Sequence, residues 1–395
     1  MRVRFGELSD AERRARDEVC ARAELAWSRL RDGDVELACR ELHELDSRLE
    51  LVASRADDEL DGVRCAELTA FEPSAWPLAE LVLSRAPRDV GYALSLGRPA
   101  ISLPRALEEV RVSHELELSR ATLRAGFGRG HLLELTLGVP GGNGSENEQN
   151  AAENLVRAVL GDRVFETWVG AVHAAAAPRM PSLRVLDVRA RQPQLSVDDL
   201  FATVAAATLG VRRGLAGLPR SAPLTLPPTS SASTSSADSS REEWTLLEVE
   251  PLAEDRAQRK DDLLLASTCT PELLRCYLDG SPCSSRRFAR ADEQFVFLSY
   301  VDDERTMPRR VARRNVIESA LSEAASGLGA VTGVGFGVKT TYVDFALYDL
   351  EAGLARLISR ARQLELPLET FIQFFDSELA EEWLSIWPGA RLDEA

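Results

Sequence analysis

Lysine is nearly missing: of 47 basic residues only Lys260 and Lys339 are lysine, the rest arginine. That bias belongs to the codons of a GC-rich genome, not to structure, and it points to a bacterial source. Histidine is almost as scarce. His43, His114, His131 and His173 include no pair at metal-ligand spacing, and none lies beyond residue 173. A serine–histidine hydrolase or an imidazole-ligated metal in the C-terminal third is thereby excluded. The six cysteines (Cys20, Cys39, Cys65, Cys269, Cys276 and Cys283) form no CxxC pair, so reduced and mostly structural thiols are expected. No apolar run reaches the roughly 18 residues that a membrane helix needs. The opening MRVRFGELSDAERRARDEV has no apolar signal-peptide core. A cytoplasmic protein with no membrane contact is expected.

What is present is a chain of 395 residues, 45% hydrophobic and 28% charged, enough for two or three domains with cores of their own. Its formal charge is −16, and from Arg241 onward 18 basic residues face 28 acidic ones. An acidic surface of this kind favours solubility and disfavours contact with nucleic-acid phosphates. Proline followed by a serine-rich run, SAPLTLPPTSSASTSSADSS at residues 221–240, cannot bury enough apolar surface to offset ordering and reads as a linker. The expected division is a helical hairpin at 1–46, an α+β domain at 47–220, the linker at 221–242 and a second α+β domain at 243–395.

The most informative stretch is residues 329–376. Side chains alternate across a strand, so Thr332, Val334, Phe336 and Val338 share one face while Gly333, Gly335 and Gly337 share the other. On the partner run Val343, Phe345 and Leu347 form the apolar face, with Tyr342, Asp344 and Ala346 opposite. Pairing through a turn near Lys339 and Thr340 sets the glycines beside Tyr342. Strand glycines mark a bulge or a place where a backbone, ring or ligand comes close; an aromatic such as Tyr342 lying over them accounts for the same pattern. Asp349 then caps a helix that stops before Pro367. With an apolar strand at 295–301, a helix at 311–325 and a strand at 370–375, the order is β-α-β-β-α-β, the ferredoxin-like split.

Upstream, Ser9 and Glu12 suggest a capping box for a helix to about residue 30, and a second helix covers 35–45. Strands are expected at 48–54, 91–96, 115–118, 132–139, 167–173 and 183–189, and helices at 76–84, 150–160 and 197–209. Residues 132–209 thus repeat the order β-α-β-β-α, a second unit of the same kind.

Motifs of known chemistry fail on inspection. In Gly333-Val-Gly-Phe-Gly-Val-Lys339-Thr340 a valine precedes the lysine and a strand follows it, which rules out a Walker loop. Gly335-Phe336-Gly337 is a fragment of the RNA-recognition signature, but Val334 and Val338 stand where a basic and an aromatic residue belong. Gly141-Gly142-Asn143-Gly144 lies between strand and helix, yet Glu146 and Glu148 would repel a pyrophosphate there. Asp302-Asp303-Glu304 reads as a solvated turn or helix start, and Cys276 and Cys283 have no activating base beside them in sequence.

The C-terminal landmarks Leu278-Asp279-Gly280, Met307-Pro308, Gly333, the run from Tyr342 to Asp349, Glu382-Trp383 and Trp387-Pro388 resemble a family of bacterial ferredoxin-like domains related to the regulator of ribonuclease activity B. The resemblance spans about residues 274–388. It departs from the family in the hairpin turn and lacks the usual acidic residue near the start of the first helix. It implies a small protein-binding or regulatory module with no active site to carry over. The expected function is therefore a non-enzymatic regulator or adaptor that binds another protein, without cofactor or metal. The alternatives are a small-molecule binder or enzyme using Gly333, Gly335, Gly337, Lys339, Tyr342 and Asp344, and an immunity or defence-associated protein.

Overall fold

A computed structural model describes residues 10–53, 64–87, 89–176, 195–215, 244–249, 259–304 and 306–388. The serine-rich segment, the Ser9 cap and the strand expected at 183–189 lie outside the described residues. The chain divides into two compact units, residues 13–213 and residues 214–395 with 1–12.

In the first unit, α1 (Asp10–Arg31) and α2 (Val35–Leu45) meet through stripes at helical spacing, Ala23, Ala26, Trp27 and Leu30 against Ala38 and Leu42, all buried. The Asp34 carboxylate caps α2 by accepting from the Leu37 N–H. These helices share one core with β1 (Leu49–Ala53), β2 (Cys65–Ala70), α3 (Trp76–Ser84) and β3 (Ala93–Leu96). The Trp27 indole N–H donates to the Val82 carbonyl at 2.9 Å, joining α1 to α3. β2 is the middle strand, antiparallel to β1 and parallel to β3.

A second core of the same unit gathers α4 (Leu103–His114), β4 (Thr122–Phe127), β5 (Leu133–Val139), α5 (Glu146–Leu160), α6 (Asp162–Trp168), β6 (Val169–Ala176), β7 (Leu195–Ser196) and α7 (Leu200–Gly214). The sheet order is β6-β5-β4-β7. β5 and β6 run parallel, joined by α5 and α6. The strand expected from 167 therefore starts at Val169, after a helix the pattern did not show. Residues 115–118 are not a strand either. Leu116 and Leu118 do pack into the core, but Glu115 turns left-handed at φ 56°, and residues 115–118 run as loop with no strand paired to them among the described residues. Where the two cores join, the Asp162 carboxylate accepts from the Arg98 N–H (2.8 Å) and the Asp162 N–H donates to the Arg98 carbonyl (3.0 Å). Gly161 (φ +76°) is required there, because a Cβ would lie 2.8 Å from the Ala100 nitrogen.

The second unit is a seven-stranded antiparallel sheet. Its elements are β8 (Thr245–Glu248), the short α8 (Arg259–Asp262), β9 (Leu263–Thr268), α9 (Pro271–Leu278), β10 (Gln294–Val301), α10 (Met307–Ala325), β11 (Gly329–Gly337), β12 (Thr340–Leu347), α11 (Leu350–Gln363), β13 (Thr370–Phe374) and β14 (Trp383–Ser385). The strand order is β14-β13-β10-β12-β11-β9-β8. β10 is an interior strand buried on both faces, as its near-continuous apolar run requires. α10 and α11 contribute to the core that holds Val296, Leu298, Val334, Val343, Phe345 and Ile372. The other face, with Phe295, Phe297, Tyr342 and Ala346, is covered by α9, Phe288 and Phe375.

Candidate functional site

The hairpin pairs as its alternation requires: Val334 stands opposite Val343, Gly335 opposite Tyr342, and Gly333 opposite Asp344. A register shift between Val331 and Gly333 places a bulge at Thr332. The turn falls on Val338 and Lys339, leaving Lys339 exposed, while Gly333, Gly335, Gly337, Tyr342 and Asp344 are all buried.

What the glycines leave room for is the chain itself. β9 pairs with β11, and the α8 residues Arg259–Asp262 lie over the hairpin. A Cβ on Gly335 would meet Leu263 Cδ1 at 2.8 Å, and one on Gly337 would overlap the Asp262 carboxylate. Asp262 is held by the Tyr342 hydroxyl, which donates to Oδ2 at 2.8 Å, and by the Lys339 N–H at 3.2 Å from Oδ1. Asp344 receives both terminal nitrogens of Arg259, Nη1 at 2.5 Å and Nη2 at 2.9 Å, a bidentate pair wholly out of water.

The Arg259 guanidinium also stands 4.7 Å from the Phe297 ring, 4.9 Å from Tyr342 and 5.2 Å from Phe375. Ring faces attract a desolvated cation. Burial opposes its charge, but Asp344 outweighs burial and holds the Arg259 pKa above the ordinary value. Burial first, then Asp262, pushes Tyr342 far upward, so its phenol remains a donor. Burial likewise pushes Tyr277 up to about 12. Arg259, Asp262, Phe297 and Phe375 were not anticipated as parts of this site. The signal for them was the glycine face, which had to be filled by something.

Across the sheet, Asp302 is not the solvated turn expected. It is buried, accepts from Thr341 Oγ1 at 3.2 Å, and meets Arg313 Nη1 at 3.3 Å. Arg310 donates to the Gly337 and Thr340 carbonyls, both at 3.0 Å, and so ties the two strands together at the turn of the hairpin. One helical turn on, Arg314 is fully buried 5.2 Å from Phe336, with Glu318 at 3.4 Å. Burial lowers the Arg314 pKa and pushes Glu318 up to about 7.

A third cluster joins Cys276 and Cys283, which the sequence left without a neighbour. Arg287 Nη2 lies 3.6 Å from the Cys276 sulfur and also donates to the Pro282 carbonyl. In the first unit, the loop at Gly141-Gly142-Asn143-Gly144 folds around its own carboxylate. Glu148 accepts from the Asn143 and Gly144 N–H groups, the latter at 2.7 Å, and so occupies the place a phosphate would take. Among the described residues no group of three or more His, Cys, Asp or Glu could hold a metal ion, and no helix is long and apolar enough to cross a membrane. Compared with protein-family models, with curated proteins and with solved structures, the chain matches none.

Proposed function

We propose that this chain is a cytosolic, non-enzymatic regulator or adaptor that binds another protein, with a C-terminal recognition module of ferredoxin-like order. The observation that carries the reading is the filling of the hairpin's glycine face by Arg259, Asp262 and Leu263. A substrate or small ligand on that face would first have to displace a buried bidentate ion pair, and breaking such a pair costs about 3–5 kcal/mol. Recognition is then left to the outer surface, where the excess of carboxylates suits a basic partner. The β13-β10-β12-β11 core with α10 and α11 supports the ferredoxin-like reading, as does the resemblance over residues 274–388. Fold alone assigns no activity.

The test is affinity purification of the tagged full chain from its native host at low salt, repeated at high salt and after nuclease. One stoichiometric protein that survives nuclease and is released by salt is the expected result. Recovery of the chain alone, or a ligand found bound over the hairpin, overturns the proposal.

A further inference from the structure

α9 ends in a tight reversal. The Asp279 N–H closes on the Arg275 carbonyl at 2.9 Å, Gly280 adopts φ +68°, and the Ser281 N–H returns to the Cys276 carbonyl at 3.1 Å. This reversal brings Cys283 back beneath α9: the Cys276 sulfur lies 3.5 Å from the carbonyl of Pro282, the residue before Cys283, and both cysteines belong to one buried cluster. The two sulfurs are buried, but the segment between them is not: Asp279, Gly280 and Pro282 face solvent. Arg287, itself 1% exposed, sets its guanidinium 3.6 Å from the Cys276 sulfur. Buried structural cysteines are inert for want of such a cation, whereas reactive ones sit beside Arg, Lys or His⁺ under thin cover.

We propose that Cys276 and Cys283 form a reversible redox pair, with Cys276 attacking a hydroperoxide and Cys283 resolving the product to an intramolecular disulfide. In the first step the Cys276 thiolate attacks the O–O bond. An S–O bond forms, the O–O bond breaks, and the departing hydroxide (or alkoxide) leaves as water or alcohol with the proton Cys276 released. In the second step the Cys283 thiol attacks the sulfenic sulfur. An S–S bond forms, the S–O bond breaks, and water leaves with the Cys283 proton. Two thiols are oxidised by two electrons and one hydroperoxide is reduced.

The Arg287 guanidinium beside the Cys276 sulfur assigns these roles. The hydrogen bond from Cys283 and then Arg287, against the opposition of burial, bring Cys276 down to about 7. Cys283 is pushed well above its ordinary value by the same hydrogen bond, by burial and by Asp376. The helix C-terminus opposes a thiolate at Cys276; the hydrogen bond from Cys283 and the Arg287 charge favour it. Oxidation has a route to the sheet as well. The Cys283 N–H donates to Ser377 Oγ at 2.7 Å and its carbonyl accepts from the Ser377 N–H at 2.8 Å, just beyond Phe375 of the cluster around Arg259.

The experiment treats the reduced full-length chain with hydrogen peroxide, alkylates without denaturant and then maps peptides by mass spectrometry. The expected result is a Cys276–Cys283 crosslink reversed by dithiothreitol, formed while the other four cysteines remain reduced. Cys283→Ser should instead trap a sulfenic acid at Cys276 that dimedone labels, and Cys276→Ser should give neither product. Arg287→Met is expected to slow crosslinking about tenfold or more, in line with the thiolate's dependence on a neighbouring cation. The wild-type chain decides the question even if a variant misfolds. A crosslink that forms only after denaturation, or oxidation spread evenly over all six cysteines, overturns the pair.

Discussion

Arg259 is charged in the middle of an apolar face because Asp344 takes both its terminal nitrogens and three rings surround it. Neither partner can be removed alone, since the survivor would be an uncompensated buried charge. Arg259→Met is expected to destabilise the unit by about 3–5 kcal/mol, and the double change with Asp344→Leu to recover much of that loss. Hydrogen–deuterium exchange of the β11 and β12 amides measures both; equal losses in single and double variants would contradict the argument. Glu318 behaves differently, because burial rather than pairing dominates it and pushes it up to about 7. Between about pH 4.3, where an unfolded glutamate titrates, and its folded value, the folded chain keeps a proton that the unfolded chain has released. Stability therefore falls as pH rises through that window, by on the order of 3 kcal/mol if the whole shift is expressed. In Glu318→Gln this slope should vanish, so unfolding curves of the two proteins at about pH 5.5 and about pH 8 should diverge. Parallel curves would mean that Glu318 stays ionised beside Arg314.

At the scale of elements, what could be read from the sequence was whatever carries its own signal. α3 and α2 have the bounds expected, β10 announced itself by a near-continuous apolar run, and the β11–β12 register followed from alternation. β9 and α9 did not announce themselves. LLLAST is too short for periodicity to separate strand from helix, and eight residues, PELLRCYL, are likewise too few for a pattern to be read with no knowledge of the face they cover. The candidate site suffered for that reason: its sequence half, Gly333 to Asp344, was visible, while the half that fills it was not. Residues 115–118 failed in the opposite way, since alternation that buries Leu118 and half-buries Leu116 needs no partner strand. Caps are the local signal that transfers best. The Asp349 carboxylate accepts from the Ala352 N–H at 3.0 Å, as its place before the helix required. Asp349→Ala should cost about 1 kcal/mol, seen as faster exchange confined to the first turn of α11. Faster exchange throughout the helix would make Asp349 more than a cap.

Over the whole molecule, charge is the property that composition stated most plainly and the fold redistributes. Among the described residues of the C-terminal unit, eight buried carboxylates, among them Asp261, Asp262, Asp302, Asp344 and Asp376, sit inside with four buried arginines. The interior therefore absorbs part of the acidic excess, and the surface offered to a partner is less negative than the sequence alone implies. An association driven by that surface should weaken with salt, but gradually, because exposed charges are screened over about 8–10 Å at physiological ionic strength. For a partner captured at low salt, affinity is expected to fall about tenfold between roughly 50 mM and roughly 500 mM salt, mainly through a slower association rate. Arg259→Met should leave that salt slope unchanged, since Arg259 contributes no charge at the surface. Binding that ignores salt would move recognition from the carboxylates to apolar residues outside the core, such as Leu246, Val316 and Leu368, which are 48%, 66% and 65% exposed.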